Sequence, residues 1–571
     1  MYNEIEKILE KAGRNNTYQY ITLILLFVLF GTSEYLIVIL PFLEAKPRVE
    51  YFDKSLNTTI VTSINYEICE NYEFSIIKEN LKYSLVYELD IYCDKSLTVI
   101  LGICLFAGIM SGSSIAYIFA DRKGRKATLL YFSSCLVMIN IVFYFVNLLI
   151  PVFIILFLSG LFSSIIDITI LVYVSEIIKK HNLILFTSTI FCAFSFFGTI
   201  YTVIFYYFDH WRIILIIVSV IMIFTIIAIY VYLEESPIFY ISTGKEEMFA
   251  ESVKNIAFKN NRKLEDTDVT LNKDCEFDPN LVTQNNPFER KNSSDNDILE
   301  RLADSSPIFV NIEKIFKNPP KESNESSDLD DSNNKTPNKS YRKMNTYLSD
   351  NCIKKEKAKR KVMNDYSVFD LIILDSQRTH FFILCYIWVV IAIIFYGLSI
   401  NIKNFYGNLY IQYFFIFLCD MVVSLIAGLF SNYHRLGRKK TIILLLLISF
   451  CSFMTSTFFD EESSSSLFSV CLYISRISFI AINCIIYCYT NEIYPTVLRT
   501  KGLGVNITIS KLGGILAPFF IENLDPDTLL LIFCIINLFA IMFSFILPET
   551  LTRRMAFHPP EMSGIIEENF D

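Results

Sequence analysis

The sequence predicts an all-α membrane protein whose twelve transmembrane helices form two pseudo-symmetric six-helix halves. Three observations predict it. Hydrophobic residues fill 53% of 571 positions and charged residues only 19%, where soluble chains carry about 25% charged residues; mean hydropathy is +0.43. Twelve apolar runs approach or exceed the ~20 residues a helix needs to cross a hydrocarbon core ~30 Å thick. One short basic loop then recurs at equivalent places in the two sets of six runs. Helices are required because lipid offers backbone N–H and C=O groups no partner.

The first run, 20–42, follows about twenty polar residues (1–19) that include Lys7, Lys11 and Arg14. Its length makes it a first span rather than a signal peptide. Five more runs complete the N-terminal half, 20–233: 98–120, 128–148, 151–175, 184–207 and 212–233, with Pro151 marking the junction between the third and fourth. The C-terminal half, 379–548, holds runs at 379–400, 408–431, 441–459, 467–489, 502–521 and 528–547, and a tail of 549–571 follows.

Basic residues set the orientation, because cytoplasmic loops are enriched in Lys and Arg. The N-terminal segment, the loop 121–126 and the loop 434–440 all fall on one face with both termini, which makes that face cytoplasmic. The 43–97 loop is then extracytoplasmic. It carries Cys69, Cys93 and the sequon Asn57-Thr58-Thr59. An oxidising compartment favours a Cys69–Cys93 disulfide over two free thiols, and Asn57 is a candidate glycan acceptor. The 234–378 loop is cytoplasmic. Its stretch 320–365 is dense in Ser, Asn, Asp and Lys and reads as disordered, with short amphipathic helices expected near 246–258 and 366–375.

The net charge of −8, from 50 Lys and Arg against 58 Asp and Glu, argues against a nucleic-acid binder, which needs a basic face. The 14 cysteines lie mostly in apolar runs and none forms a C-x-x-C pair, so neither metal nor redox cofactor is expected. No Gly-x-x-x-x-Gly-Lys-Ser/Thr loop is present to cradle ATP, and no nucleophile–base signature points to an enzyme.

Asp121-Arg122-Lys123-Gly124-Arg125-Lys126 after the second span recurs as His434-Arg435-Leu436-Gly437-Arg438-Lys439 after the eighth. Paired repeats of this kind belong to carriers whose halves rock about a central site. Here the sequence resembles the major facilitator superfamily, whose loop reads G-x-x-x-D-R-x-G-R-R/K. More narrowly it resembles the organic cation/anion/carnitine transporter family. Glu88-Leu89-Asp90-Ile91-Tyr92-Cys93-Asp94 is similar to that family's E-W-D-L-V-C-D. Trp211-Arg212, Glu235-Ser236-Pro237, Tyr396-Gly397-Leu398, Asn491 to Arg499, Gly513-Gly514 and Leu547-Pro548-Glu549-Thr550 also match its pattern. Tyr117, Leu156 and Ile238 depart from it, standing where relatives have Gly, Arg and Arg. The resemblance implies a major facilitator fold with a gate built from Asp121, Arg122, Gly124, Arg125, Arg435, Gly437 and Arg438. Glu176, Glu235, Glu492 and Arg499 group with them as gating residues.

Ionisable residues inside a bilayer cost about 2.5–3.5 kcal/mol each on insertion scales and mark functional sites. Glu34, Asp167, Asp420, Arg476 and Lys511 lie at such depth and, with Tyr396, are the candidate substrate-binding residues. Asp420, Arg476 and Lys511 are expected to share one cavity, and Tyr201, Tyr206 and Tyr410 are further aromatic candidates. The resemblance implies that Lys511, basic just before Gly513-Gly514, selects organic anions or zwitterions. The expected function is a secondary or facilitative carrier of small organic ions working by alternating access. It is expected in the plasma membrane, as a monomer, with a possible counter-ion. An organic cation carrier, a sugar porter-like carrier and a non-transporting receptor or vesicle glycoprotein remain as alternatives.

Overall fold

The computed structural model describes residues 2–264, 269 and 370–550, apart from 14–15, 54–57, 65, 78–82, 209, 402–407, 432–436, 459–464 and 496–497. Among these residues twelve helices are long and apolar enough to cross a membrane. The first six are Thr17–Leu43, Lys95–Lys123, Arg125–Phe145, Leu149–Ile177, Asn182–Tyr207 and Arg212–Tyr232. The second six are Gln377–Asn401, Leu409–Phe430, Gly437–Ser456, Leu467–Ile493, Lys501–Asn523 and Pro526–Ser544. Every predicted run falls on one of them. The 320–365 stretch, Asn57 and Arg435 lie outside the described residues.

Boundaries shift where capping chemistry overrides hydropathy. The third helix starts at Arg125, three residues before its apolar run, because a carboxylate caps it (below). The fourth starts at Leu149, placing Pro151 in its first turn, where the missing N–H has no helical partner to lose. The first span is two helices, Thr17–Ser33 and Tyr35–Leu43, interrupted at Glu34 (φ −83°, ψ 6°). Thr32 and Ser33 hydroxyls turn back on the carbonyls of Val28 (2.8 Å) and Phe30 (2.9 Å), a bonding that bends helices. Pro41 removes one further N–H.

The second and fourth spans meet at backbone distance. A Cβ at Gly108 would stand 2.0 Å from the Phe157 carbonyl oxygen, at Gly112 2.3 Å from that of Leu161, and at Gly160 2.3 Å from that of Leu105. Without an apolar solvent gradient to drive association, small residues let dispersion contacts do so. Between the halves, the second span packs on the eleventh, with Phe106 against Gly514 and Ser113 Oγ 3.2 Å from Thr508 Oγ1. The fifth packs on the eighth, where the Cys192 thiol donates to the Met421 carbonyl (3.6 Å) and Phe417 lies over Gly198.

The loop after the first span departs from the all-helical expectation. It folds into a three-stranded antiparallel sheet, β1 (Arg48–Asp53), β2 (Thr58–Ser63) and β3 (Phe74–Ile76), ordered β2–β1–β3. Threonine and valine in β2, and the out–in alternation Arg48, Val49, Glu50 in β1, suit a half-buried sheet. Val49, Ile64 and Ile68 form its small core, and a Cys69–Cys93 disulfide (S–S 2.02 Å) closes it.

At the opposite end, helix Tyr2–Lys11 buries Ile5, Ile8 and Leu9, and the following Ala12 is buried with them. Helix Glu246–Lys259 buries Phe249, Val253 and Ile256. Asn260 joins them: its Oδ1 accepts from Tyr18 N (2.9 Å), and its Nδ2 donates to the carbonyls of Ala12 (3.1 Å) and Gly13 (3.0 Å).

Candidate functional site

A cavity of about 80 Å³ lies between the halves at mid-span depth, against about 10 Å³ for a second one beside the first and fourth spans. The first, fourth and fifth spans supply one wall, with Phe30, Glu34, Ser164, Asp167, Phe191 and Phe194. The seventh, tenth and eleventh supply the other, with Trp388, Phe395, Tyr396, Asn483, Tyr487, Ser510 and Lys511.

Four of the candidate residues therefore meet: Glu34, Asp167, Tyr396 and Lys511. Glu34 sits at the break in the first span, and its carboxyl interacts with that of Asp167 on the fourth. Ser33 Oγ donates to Asp167 Oδ1 (2.7 Å). Both acids are buried, at 9% and 7% exposure. From the other half, Lys511 Nζ lies 3.5 Å from the Tyr396 hydroxyl and interacts electrostatically with Tyr396, Tyr487, Glu34 and Asp167. Phe106 packs against the Tyr396 ring (centroids 4.6 Å).

Asp420 and Arg476 do not join them, which corrects the expected three-residue cavity. They pair with each other, Arg476 NH2 donating to Asp420 Oδ2 (2.9 Å) at 2% and 0% side-chain exposure. Arg476 also donates to Ser399 Oγ and stacks over Phe395 (4.8 Å). Neither lines the cavity; the pair ties the seventh, eighth and tenth spans together. The other tyrosines also fall elsewhere. Tyr201 donates to the Gly31 carbonyl (3.1 Å), Tyr206 is 52% exposed, and Tyr410 stacks on Phe42 (5.6 Å). Trp388, Asn483 and Tyr487 were not singled out from the sequence. Asn483, a polar residue inside an apolar run, was the one with a readable signal.

The repeated basic loops build matched networks at the end carrying the termini. In the first half Arg125 grips Glu176, with Nε to both oxygens (3.1 Å) and NH2 to Oε1 (2.7 Å), and pairs with Asp121 (3.0 Å). Glu235 Oε1 accepts the backbone N–H of Arg125 (2.7 Å) and Lys126 (3.1 Å), capping the third span. A carboxylate there satisfies orphan donors and meets the positive end of the helix dipole. In the second half Arg438 pairs with Glu492, and Glu549 Oε1 accepts Arg438 N (3.0 Å). Gly124 (φ 100°) and Gly437 (φ 71°) take left-handed conformations beside these carboxylates. A Cβ at Gly124 would stand 2.3 Å from Glu235 Oε2, and one at Gly437 2.6 Å from Glu549 Oε2. Tyr173 donates to the Glu234 carbonyl (2.6 Å) as Tyr489 does to that of Pro548 (2.8 Å). Arg122 is exposed, and Arg499 opens the helix Arg499–Asn523.

These features match known proteins. A family model described as Major Facilitator Superfamily matches residues 22–518. A solute carrier family 22 member 15-like protein of Xenopus tropicalis is 31% identical over 194 residues, which is 34% of this chain and 40% of the frog protein. Organic cation/carnitine transporter 2 of Mus musculus is 28% identical over 159 residues, 27% of this chain and 28% of the mouse protein. The chain thus aligns with two fifths or less of these relatives' length. Among solved structures, a partially occluded, inward-open form of the xylose transporter XylE from E. coli superimposes with a TM-score of 0.54. It is 13% identical and covers 93% of this chain and 100% of that one. The human organic anion transporter MFSD10 (TETRAN) gives 0.51 at 9% identity, covering 92% and 99%. With the doubled Arg–carboxylate network and twelve candidate spans beside it, the family match over residues 22–518 is decisive: the chain belongs to the major facilitator superfamily.

Proposed function

We propose that the protein carries small organic ions across a membrane by alternating access, and that its preferred substrates bear a carboxylate or a comparable anion, zwitterions foremost. One observation carries this reading: the cavity between the halves sets a single ammonium, Lys511, opposite the Glu34–Asp167 carboxyl pair. An anionic substrate group offsets the burial of Lys511. A cationic group on the same substrate finds the two acids and the faces of Trp388, Tyr396 and Tyr487. The names of the relatives, organic cation and carnitine transporters among them, agree with a small organic ion. The acid pair favours a second reading, an organic cation carrier in which Lys511 serves only to balance charge. The basic loops support a cytoplasmic side for both termini, and the plasma membrane is the proposed site.

The test is uptake of radiolabelled carnitine, an aromatic carboxylate and tetraethylammonium in cells expressing wild type or Lys511→Asp at equal surface level. Loss of carnitine and carboxylate uptake in the variant is the expected result. Carboxylate-bearing probes that move equally in both proteins refute the role of Lys511. Uptake confined to tetraethylammonium selects the cation reading.

A further inference from the structure

We propose that the N-terminal helix Tyr2–Lys11 is a releasable clasp: docked, it binds by its carbonyl end to the corner formed by Asn260 and Arg262, and it holds the start of the first span to helix Glu246–Lys259 as one unit. The docking is argued from geometry and stands whatever the substrate; only its effect on transport rests on the carrier reading above.

A helix ends in carbonyls that no helical N–H can reach. Here four in a row find side-chain donors from far along the chain. Arg262 donates through NH1 to the carbonyls of Glu10 (3.2 Å) and Lys11 (3.1 Å), and Asn260 through Nδ2 to those of Ala12 (3.1 Å) and Gly13 (3.0 Å). A guanidinium at this place also meets the negative end of the helix dipole. Asn260 uses its other amide atom too: Oδ1 accepts from Tyr18 N (2.9 Å), in the first turn of the first span. One buried carboxamide, 7% exposed, thus ends one helix and starts the next. The fit is close, since a Cβ on Gly13 would stand 3.1 Å from Arg262 Nε and 3.2 Å from Asn260 Nδ2.

Helix Glu246–Lys259 delivers both residues. Asn261 is left-handed (φ 56°), a conformation asparagine tolerates. Arg262 N bonds back to the Ala257 carbonyl (2.8 Å) and Asn261 N to that of Phe258 (3.0 Å), and this Schellman turn brings Asn260 and Arg262 to the N-terminal helix. The delivering helix is itself fixed to the sixth span. Lys259 Nζ donates to the Tyr232 carbonyl (2.6 Å) and pairs with Glu234 (2.5 Å), and Ser252 Oγ donates to the Glu235 carbonyl (2.8 Å). Glu10 pairs with Lys179 (2.9 Å), at the turn between the fourth and fifth spans. Every partner named here belongs to the first half, so the docked helix braces that half rather than tying it to the second.

Release is built into the length of the clasp. A helix of ten residues is too short to persist alone in water, so its formation and the burial of Ile5, Ile8 and Leu9 are one event. Undocking turns the segment from order to disorder and frees the start of the first span, the span that carries the break at Glu34. None of the clasp residues lines the cavity. In the carrier reading, release therefore slows transport and leaves substrate preference unchanged.

Hydrogen exchange read by mass spectrometry on the purified full-length protein tests the clasp without any substrate. In the wild type the amides of residues 6–13 should be protected and should exchange together, sooner than those of the twelve spans. Asn260→Ala, Arg262→Ala and Gly13→Ala strike one contact from both sides, and each should raise that exchange about tenfold or more with the spans unchanged. Asn260→Asp keeps an acceptor for Tyr18 N and loses the donors, so residues 6–13 should lose protection while the start of the first span keeps it. Unprotected amides at 6–13 in the wild type overturn the docking, a result that needs no variant to fold. Exchange there as slow as in the spans overturns the release, and protection untouched by all three substitutions overturns the corner. Carnitine uptake by the same variants at equal surface level should show a lower Vmax at unchanged KM. Protection lost with Vmax unchanged, or with KM altered, overturns the effect on transport. A failure of the carrier reading would show in wild-type uptake alone, and a failure of the clasp in exchange.

Discussion

Asp420→Asn tests whether the second group of buried charges is a helix lock or part of the substrate path. At 2.9 Å and an effective dielectric constant of about 20, the Arg476–Asp420 attraction amounts to about 6 kcal/mol. Desolvating both ions costs a comparable amount, so the intact pair contributes little net stability. Removing one partner is different: Arg476 would stay charged at 2% exposure, with Ser399 and the Phe395 ring around it. Breaking such a pair costs about 3–5 kcal/mol, or an apparent melting temperature lower by roughly 3–5 °C for a chain of this size. The assay is a double-mutant cycle with Asp420→Asn, Arg476→Gln and both together, melted in one detergent and compared for uptake. Each single variant should melt early, and the double variant should recover at least half of the loss and keep transport. A double variant no more stable than the worse single refutes the lock. One that regains stability but not transport returns the pair to the substrate path.

Three further outcomes follow from the fold. Gly108→Val drives a side chain into the Phe157 carbonyl, since even a Cβ would lie 2.0 Å away; it should cost at least about 1–3 kcal/mol, read as a lower melting temperature, whereas Gly504→Ala, with open space at its Cβ, should melt like wild type. Glu235→Ala orphans the N–H groups of Arg125 and Lys126 at about 1–3 kcal/mol each, and Glu549→Ala should act alike in the second half; equal melting of wild type and Glu235→Ala would show that the cap contributes nothing. Cys69→Ser with Cys93→Ser opens a loop of 24 residues' separation, worth about 2–4 kcal/mol to the small sheet, and should make residues 44–94 more sensitive to protease than in the wild type.

What was legible in the sequence, and what was not, follows from how far apart the interacting residues lie. Span positions were readable because a bilayer imposes one length on every helix. The Arg–carboxylate networks were readable as a repeat because the loop is written twice: Gly124-Arg125 and Gly437-Arg438 differ little, and their acids lie at the ends of the fourth, sixth, tenth and twelfth spans. The charges in mid-span were readable one by one, but not how they pair. Asp420 and Arg476 look as functional in the sequence as Asp167 and Lys511 do. What the sequence does not show is which way each side chain faces: Asp420 and Arg476 face each other between helices of the C-terminal half, and Asp167 and Lys511 line the cavity. Trp388 and Tyr487 were hidden among aromatics that make up 15% of the chain. The sheet was missed because β1 and β2 sit in a polar loop read for its cysteines and sequon rather than for period-two alternation.

The contrast between gate and cavity bears on how a rocking carrier would be loaded. The Arg–carboxylate networks are closed within each half: Arg125, Glu176 and Glu235 all belong to the first, and Arg438, Glu492 and Glu549 to the second. In the proposed carrier such closed networks would move with their own half, and motion would fall on the seams between the second and eleventh and the fifth and eighth spans. The cavity obeys the opposite rule. Among the described lining residues its acids come from the first half and its ammonium from the second. The charge–charge interactions of Lys511 with Glu34 and Asp167 therefore cross the interface between the halves. A substrate with a charge of each sign would span both walls, and the energy it gains would depend on how the halves sit. A ligand shifts a conformational equilibrium only by its differential affinity for the two states. Charges split between the halves provide that difference, whereas the same charges gathered in one half would move with it and bind equally in both states.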